Sequence, residues 1–153
     1  MKEGTNILIT PEQLPMVQTA SMNDTHFETT ELINKLSTAI QNSDVKAVNE
    51  AFEELFEHTQ EHCETEEEMM VAQKFPPYLA HKEEHDLALD DMKKAATNFT
   101  QTEDFEAASK YLTLNLTPWF LQHTETMDAV TSMFLENSEL HLEHWNRLKP
   151  RQK

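Results

Sequence analysis

Hydrophobic and polar positions along this chain alternate at three- and four-residue steps over four long stretches, the period of an amphipathic α-helix. The first stretch carries Met22, His26, Ile33, Leu36 and Ile40 on one side, with a single seven-residue gap. Ser21 and Asp24 have the spacing of a capping box and predict a helix start near Ser21. Asn42-Ser43-Asp44 ends that helix and caps a second, predicted from Asp44 to Gln73, with Val48, Phe52, Leu55, His62, Glu66, Met69 and Met70 along one side. Phe75-Pro76 stops it. Pro77 suits the first turn of a third helix, where its missing N–H costs nothing. That helix should run to about Ala96, with Tyr78, His81, His85, Ala88, Leu89 and Met92 inward, and residues 98–102 should form a polar connection. Thr102 can cap a fourth helix, with Glu103 and Asp104 in its first turn. Its inward stripe is Phe105, Ala108, Tyr111, Leu112, Leu116, Trp119, Phe120, His123, Met127, Val130 and Phe134. Pro118 interrupts this pattern and predicts a kink or short break near Thr117.

Four long amphipathic segments with short connections predict an all-α fold, an up-down-up-down four-helix bundle spanning residues 21–136. Residues 1–20 are expected to form an extended arm, since Pro11 and Pro15 discourage a helix while Ile7, Leu8 and Ile9 can pin it. Residues 137–153 are expected to form a tail, with Leu140, Trp145 and Leu148 placing a short helix on the bundle. The length of 153 residues suits one domain, and a single glycine is unlike a chain built from tight β-turns. A formal net charge of −16 argues against nucleic acid or an anionic membrane as partner. Cys63 is the sole cysteine, so no intrachain disulfide is possible. No signal-like N-terminus and no membrane-spanning run is evident, and a cytoplasmic protein is expected.

The inward stripes are not purely apolar. His26 lies on the first, His62 and Glu66 on the second, His81 and His85 on the third, and His123 on the fourth, with Asp128 five residues further on. A pair four apart on a helix stacks on one face. A lone inward histidine is usually a hydrogen-bonded core residue. Five imidazoles and two carboxylates together are another matter, because each unpaired buried carboxylate costs several kcal/mol. Metal ions remove that cost. Mixed imidazole and carboxylate donors without thiolate fit iron or manganese better than zinc. Shared between two octahedral ions, five imidazoles, two bridging carboxylates and one bridging oxide or hydroxide leave a single position open for a small ligand.

Taken together, His26, then His62 and Glu66 four apart, then His81 and His85 four apart, then His123 and Asp128 five apart, resemble the hemerythrin family. The local run HCETEEEMM is similar to the family's HFxxEExLM, followed by an aromatic-proline pair and then HxxxH. Trp119, four before His123, also resembles it. The resemblance covers residues 22–134. It implies two iron ions with an oxo or hydroxo bridge. His81, His85 and His123 would hold one ion, His26 and His62 the other, with Glu66 and Asp128 between them. It implies reversible dioxygen binding, for transport, storage or sensing, at the ion with two histidines, and no enzymatic activity.

Helical spacing nominates Leu55, Met69, Trp119, Phe120 and Met127 as walls of the dioxygen site, with Phe27 beside His26. Cys63 stands where the family has an aromatic; its side chain points about 100° away from His62 on an ideal helix, and a thiol near the site would raise its redox sensitivity. His58 is one turn before His62 but lacks a following glutamate, which gives it a surface or supporting role. His141 and His144 fall in the tail. Five residues from His123 to Asp128 turn about 140° on an ideal helix, so Asp128 must reach across or the helix must be distorted. The competing functions are a diiron enzyme acting on dioxygen, peroxide or nitric oxide, an iron or oxygen sensor that signals through a separate protein, and a structural zinc bundle. No histidine has a glutamate three before it, which disfavours ferritin-like enzymes.

Overall fold

The computed structural model describes residues 7–136. The expected tail helix, with His141 and His144, lies outside the described residues. Four helices carry the fold: α1 Ala20–Gln41, α2 Val45–Ala72, α3 Tyr78–Thr102, and α4 over residues 105–136. No strand occurs among the described residues, and no helix there is long and apolar enough to cross a membrane. α2 packs against both α1 and α3, and α4 against α1 and α3.

The apolar core gathers side chains from the second half of α1 (Ile33, Leu36), the first half of α2 (Phe52, Leu55), the second half of α3 (Met92, Phe99) and the first half of α4 (Leu112, Leu116). Each is at most 5% exposed. The polar candidates come from the opposite halves: His26, His62 with Glu66, His81 with His85, and His123 with Asp128. One end of the helix assembly is a hydrophobic plug that supplies the burial energy. The other end is free to be polar.

Helix ends follow local chemistry. Asp44 caps α2, its carboxylate accepting the Ala47 N–H at 3.1 Å. Ser43, Lys74 and Glu103 follow α1, α2 and α3 in the left-handed region, at φ 52°, 57° and 54°. Glycine is the usual occupant of that position, and this chain has only Gly4. Ahead of α1, the Asn34 side chain accepts the Leu8 and Ile9 N–H groups at 2.6 and 3.0 Å and donates to the Ile9 carbonyl at 2.9 Å. Asn23 makes a similar reciprocal pair with Val17.

Several expectations need correction. α1 starts at Ala20 with Thr19 as its N-cap, so Ser21 and Asp24 form no capping box. Thr19 instead donates its N–H to the Ser132 hydroxyl at 2.6 Å and its own hydroxyl to Glu136 at 3.0 Å, tying the start of α1 to α4. α3 does not stop at Ala96. Phe99 continues the inward stripe at 1% exposure, and the Thr100 and Thr102 hydroxyls donate back to carbonyls four residues earlier. Asp104, not Thr102, caps α4, accepting the Ala107 N–H at 3.0 Å. Pro77 sits at the N-cap of α3, one position outside its first turn.

Two wide π-helical turns inside α4, Tyr111–Leu116 and Thr124–Asp128, account for the remaining differences. No break occurs at Thr117. The Thr117 N–H bonds to the Leu112 carbonyl, five residues back, and the widened turn relieves the collision a proline ring makes with the carbonyl four residues before it. The second wide turn adds one residue, so the inward stripe slips by one beyond it. Val130, expected inside, is 53% exposed, and Thr131 and Ser132 are fully buried in its stead.

Truncating Phe99 to alanine should destabilise the fold by about 3–5 kcal/mol, measured by urea denaturation, while Val130→Ala should stay within about 0.5 kcal/mol. Equal effects would show that the core has been misplaced.

Candidate metal centre

All seven candidate ligands meet between the polar halves of the helices. Glu66, His81, His85, His123 and Asp128 form one group and His26, His62, Glu66 and Asp128 a second; within each, one nitrogen or oxygen per residue lies within 4.8 Å of every other. The carboxylates belong to both groups. Glu66 Oε1 lies 3.3 Å from His81 Nε2 and 3.2 Å from His85 Nε2, while its Oε2 lies 3.0 Å from His62 Nε2. Asp128 Oδ1 lies 3.1 Å from His81 Nε2 and 3.0 Å from His123 Nε2, while its Oδ2 lies 2.9 Å from His26 Nε2. Each carboxylate therefore turns one oxygen to two members of the set His81, His85 and His123 and the other to one member of the pair His26 and His62.

The π turn Thr124–Asp128 makes this possible. On an ideal helix, His123 and Asp128 would diverge by about 140°. In a turn closed over five residues they stack on one side, and such turns recur at functional sites. The side chain does not reach across; the backbone widens.

The donor set fits a metal on grounds internal to the structure. His85 Nδ1–H donates to Glu67 Oε2 at 2.9 Å, and His123 Nδ1–H donates to Glu84 Oε1 at 3.0 Å. A carboxylate can only accept, so in each neutral ring Nε2 carries a lone pair. Those lone pairs face carboxylate oxygens and one another; His81 Nε2 and His123 Nε2 are 3.1 Å apart. Both Glu66 oxygens and His85 Nε2 are buried with no hydrogen bond of acceptable geometry. Acceptors converging on acceptors require either extra protons or a cation between them. His81 Nδ1 is held in turn by the Thr131 hydroxyl at 2.8 Å. Glu67, Glu84 and Thr131 are supporting residues that sequence reasoning missed. Glu67 and Glu84 merge into a long acidic surface pattern, and Thr131 reaches the site only through the register slip in α4.

Without metal, protons supply the compensation. Burial alone would lower His81, but the Asp128 and Glu66 carboxylates beside it raise it to about 9. Burial likewise works against His62 and His123, and Glu66 and Asp128 respectively raise them. Burial and the neighbouring Asp128 charge would raise Glu66, yet the three imidazoles around it push it far below the ordinary carboxylate range. Asp128, also buried, is held low by His123, His26 and His81.

The proposed walls do not enclose one pocket. Trp119 stacks flat on the His123 ring, centroids 4.5 Å apart at 16°. Phe120 meets His26 edge-on at 5.9 Å. Leu55 is fully buried in the apolar core beneath them, and Phe27 packs against that core. Met69 lines a cleft of about 290 Å³ between α1 and α2 that reaches His62 and Glu66. Met127 lines a separate apolar groove that reaches His81, with Phe75, Pro77, Val130 and Thr131. The first cleft is polar, walled also by Thr25, Glu28, His58 and Glu61. His58 is half-buried there, its Nε2 2.9 Å from the Thr29 hydroxyl, and it joins neither group of candidate ligands. Cys63 is buried and also outside both groups. Burial and the Glu66 charge push its thiol up, which disfavours the thiolate.

Residues 18–134 match the family model described as the hemerythrin HHE cation binding domain. The chain is also similar to a bacteriohemerythrin of Aquifex aeolicus (strain VF5), 28% identical over 129 residues that cover 84% of this chain and 98% of that protein.

The pH dependence of the metal-free protein follows from these shifts. Raising His81 from 6.5 to about 9 adds stability that is complete below 6.5 and lost as pH rises through about 9. Depressing Glu66 and Asp128 adds stability present above their ordinary values of 4.5 and 3.8 and lost in stronger acid. The urea midpoint of the metal-free protein should therefore be highest between about pH 4.5 and 6.5 and fall toward pH 9.5. In the metal-loaded protein the alkaline fall should disappear. A midpoint that rises across the alkaline range without metal would contradict this electrostatic picture.

Proposed function

We propose, on the premise that the chain belongs to the hemerythrin family, that it binds dioxygen reversibly at a non-heme diiron centre, as a carrier, store or sensor. The observation that carries this reading is the division of each buried carboxylate between two histidine sets, one oxygen to each. His81, His85 and His123 would hold one ion, His26 and His62 the other, with Glu66 and Asp128 spanning both. A bound iron pair with an oxo or hydroxo bridge would supply the electrons for reversible reduction of dioxygen.

The remaining work falls to the chain. The reading takes residues 21–136 as the up-down-up-down bundle, with residues 1–20 as arm and 137–153 as tail. The short connections and the segregation of core and polar halves support it. Trp119 and Phe120 press aromatic surface against His123 and His26 and exclude water from those rings. Glu66 and Asp128 are held ionised, so neither hands a proton to a bound ligand at neutral pH. The reading keeps a cytoplasmic setting, since a chain with Cys63 as its single cysteine forms no internal disulfide that would call for an oxidising compartment. A second reading, a diiron enzyme acting on peroxide, is favoured by the polar cleft beside His62, which admits small hydrogen-bonding molecules.

Exposing the reduced, iron-loaded protein to air separates the two. A stable visible absorption that vanishes under vacuum and returns with air is the expected result. Rapid irreversible bleaching with turnover of peroxide would favour the enzyme, and a colourless zinc protein would end both. Replacing Trp119 by serine should accelerate autoxidation by about 10-fold or more, the scale of changes around metal ligands; an unchanged rate would remove Trp119 from the site's wall.

A further inference from the structure

The two ends of the candidate centre are supported unequally. Around the three-histidine end, every imidazole has its outer nitrogen fixed: His81 by Thr131 at 2.8 Å, His85 by Glu67 at 2.9 Å and His123 by Glu84 at 3.0 Å. All three rings are at most 5% exposed, and Trp119 clamps the face of one. Two of the three supports are carboxylates, which make the imidazoles more basic as well as fixing their tautomer. The two-histidine end lacks this. His26 Nδ1 is buried with no hydrogen-bond partner. His62 is half-buried and lines the polar α1–α2 cleft with Thr25, Glu28 and His58.

We propose that the two metal positions differ in strength and order of filling: the His81–His85–His123 position takes a divalent transition ion first and retains it, while the His26–His62 position is a weaker, exchangeable site loaded through the α1–α2 cleft. The physical cause is preorganisation. At the first position three rings already point their Nε2 atoms at one place, so little ordering remains when the ion arrives and displaces the protons held there. At the second, one ring must stay in place without an outer partner, and the other, with 14% of its side chain exposed, opens onto the α1–α2 cleft. Glu84 and Glu67 act as positioning residues through His123 and His85. A partly loaded form with one ion, and a mixed form with a different metal in the second position, follow as accessible states. This inference rests on the dinuclear reading above and refines it.

The test is an anaerobic titration of the metal-free 153-residue chain with cobalt(II), followed by visible absorption and by native mass spectrometry, without any assay of dioxygen binding. Two resolved steps are expected, with dissociation constants at least about 10-fold apart, the lower end of what supporting partners contribute. A chelator should strip one ion well before the other. His62→Gln should delete only the weak step. Glu84→Ala should weaken the tight step by about 10–100-fold and draw the two steps together, and Glu84→Gln, which keeps an acceptor without the charge, should recover part of the loss. Far-ultraviolet circular dichroism of each variant reports whether it is folded, and the wild-type titration decides the main point without any variant. Uptake of both ions in one indivisible step, or loss of the tight step in His62→Gln, would overturn the unequal loading and leave the dinuclear reading standing. Uptake of a single ion at saturation would overturn both.

Discussion

Two carboxylates buried among five imidazoles are the constraint around which the rest of this fold is arranged. Glu66 and Asp128 are each 1% exposed, where an uncompensated charge costs several kcal/mol. Their oxygens lie 2.9–3.3 Å from five histidine nitrogens. Protons can supply the positive charge, as the upward shift of His81 shows, and so can metal ions. Protonation and metal binding compete for the same lone pairs, so loading the centre must release protons.

Such a polar cluster contributes little hydrophobic stabilisation where it sits. The fold answers by division of labour. Phe52, Leu36, Met92, Phe99 and Leu112 fill the opposite halves of the same helices, and the Phe52 and Phe99 rings lie 6.4 Å apart at the centre of that plug. Each helix is thus a rigid rod anchored at one end and chemically equipped at the other. Placing donors on helices anchored this way gives them the precision that loops lack.

The backbone also adapts to the chemistry. The turn Thr124–Asp128 abandons α-helical geometry so that Asp128 shares a face with His123. The same widening rotates all that follows, carries Thr131 onto His81 and turns Val130 outward. One local departure therefore sets both a candidate bridging ligand and a support for another candidate ligand. The surroundings that result are lopsided, with three braced rings at one end and a polar cleft at the other. Access and retention are consequently served by different parts of the cluster.

The sequence by itself determined the number of helices, the cap at Asp44, the chain break at Phe75-Pro76, and which seven side chains share inward faces. These are short-range matters: periodicity, capping chemistry and a proline's missing N–H act within a turn or two. His26, Ile33 and Leu36 on α1, like His81, His85 and Met92 on α3, could be read by counting threes and fours. Counting failed where the count itself changed. The end of α3 was missed because Phe99, alone among polar neighbours, needed partners from α2 and α4 to show its worth. Val130 and Thr131 exchanged places because a wide turn breaks the 3.6-residue period on which the counting relies. Glu67 and Glu84 were invisible among many acids, since their role depends on which imidazole a folded neighbour brings within 3 Å. Periodic pattern is a property of one helix, and it told which residues face inward; only the packing of four helices could tell what they face.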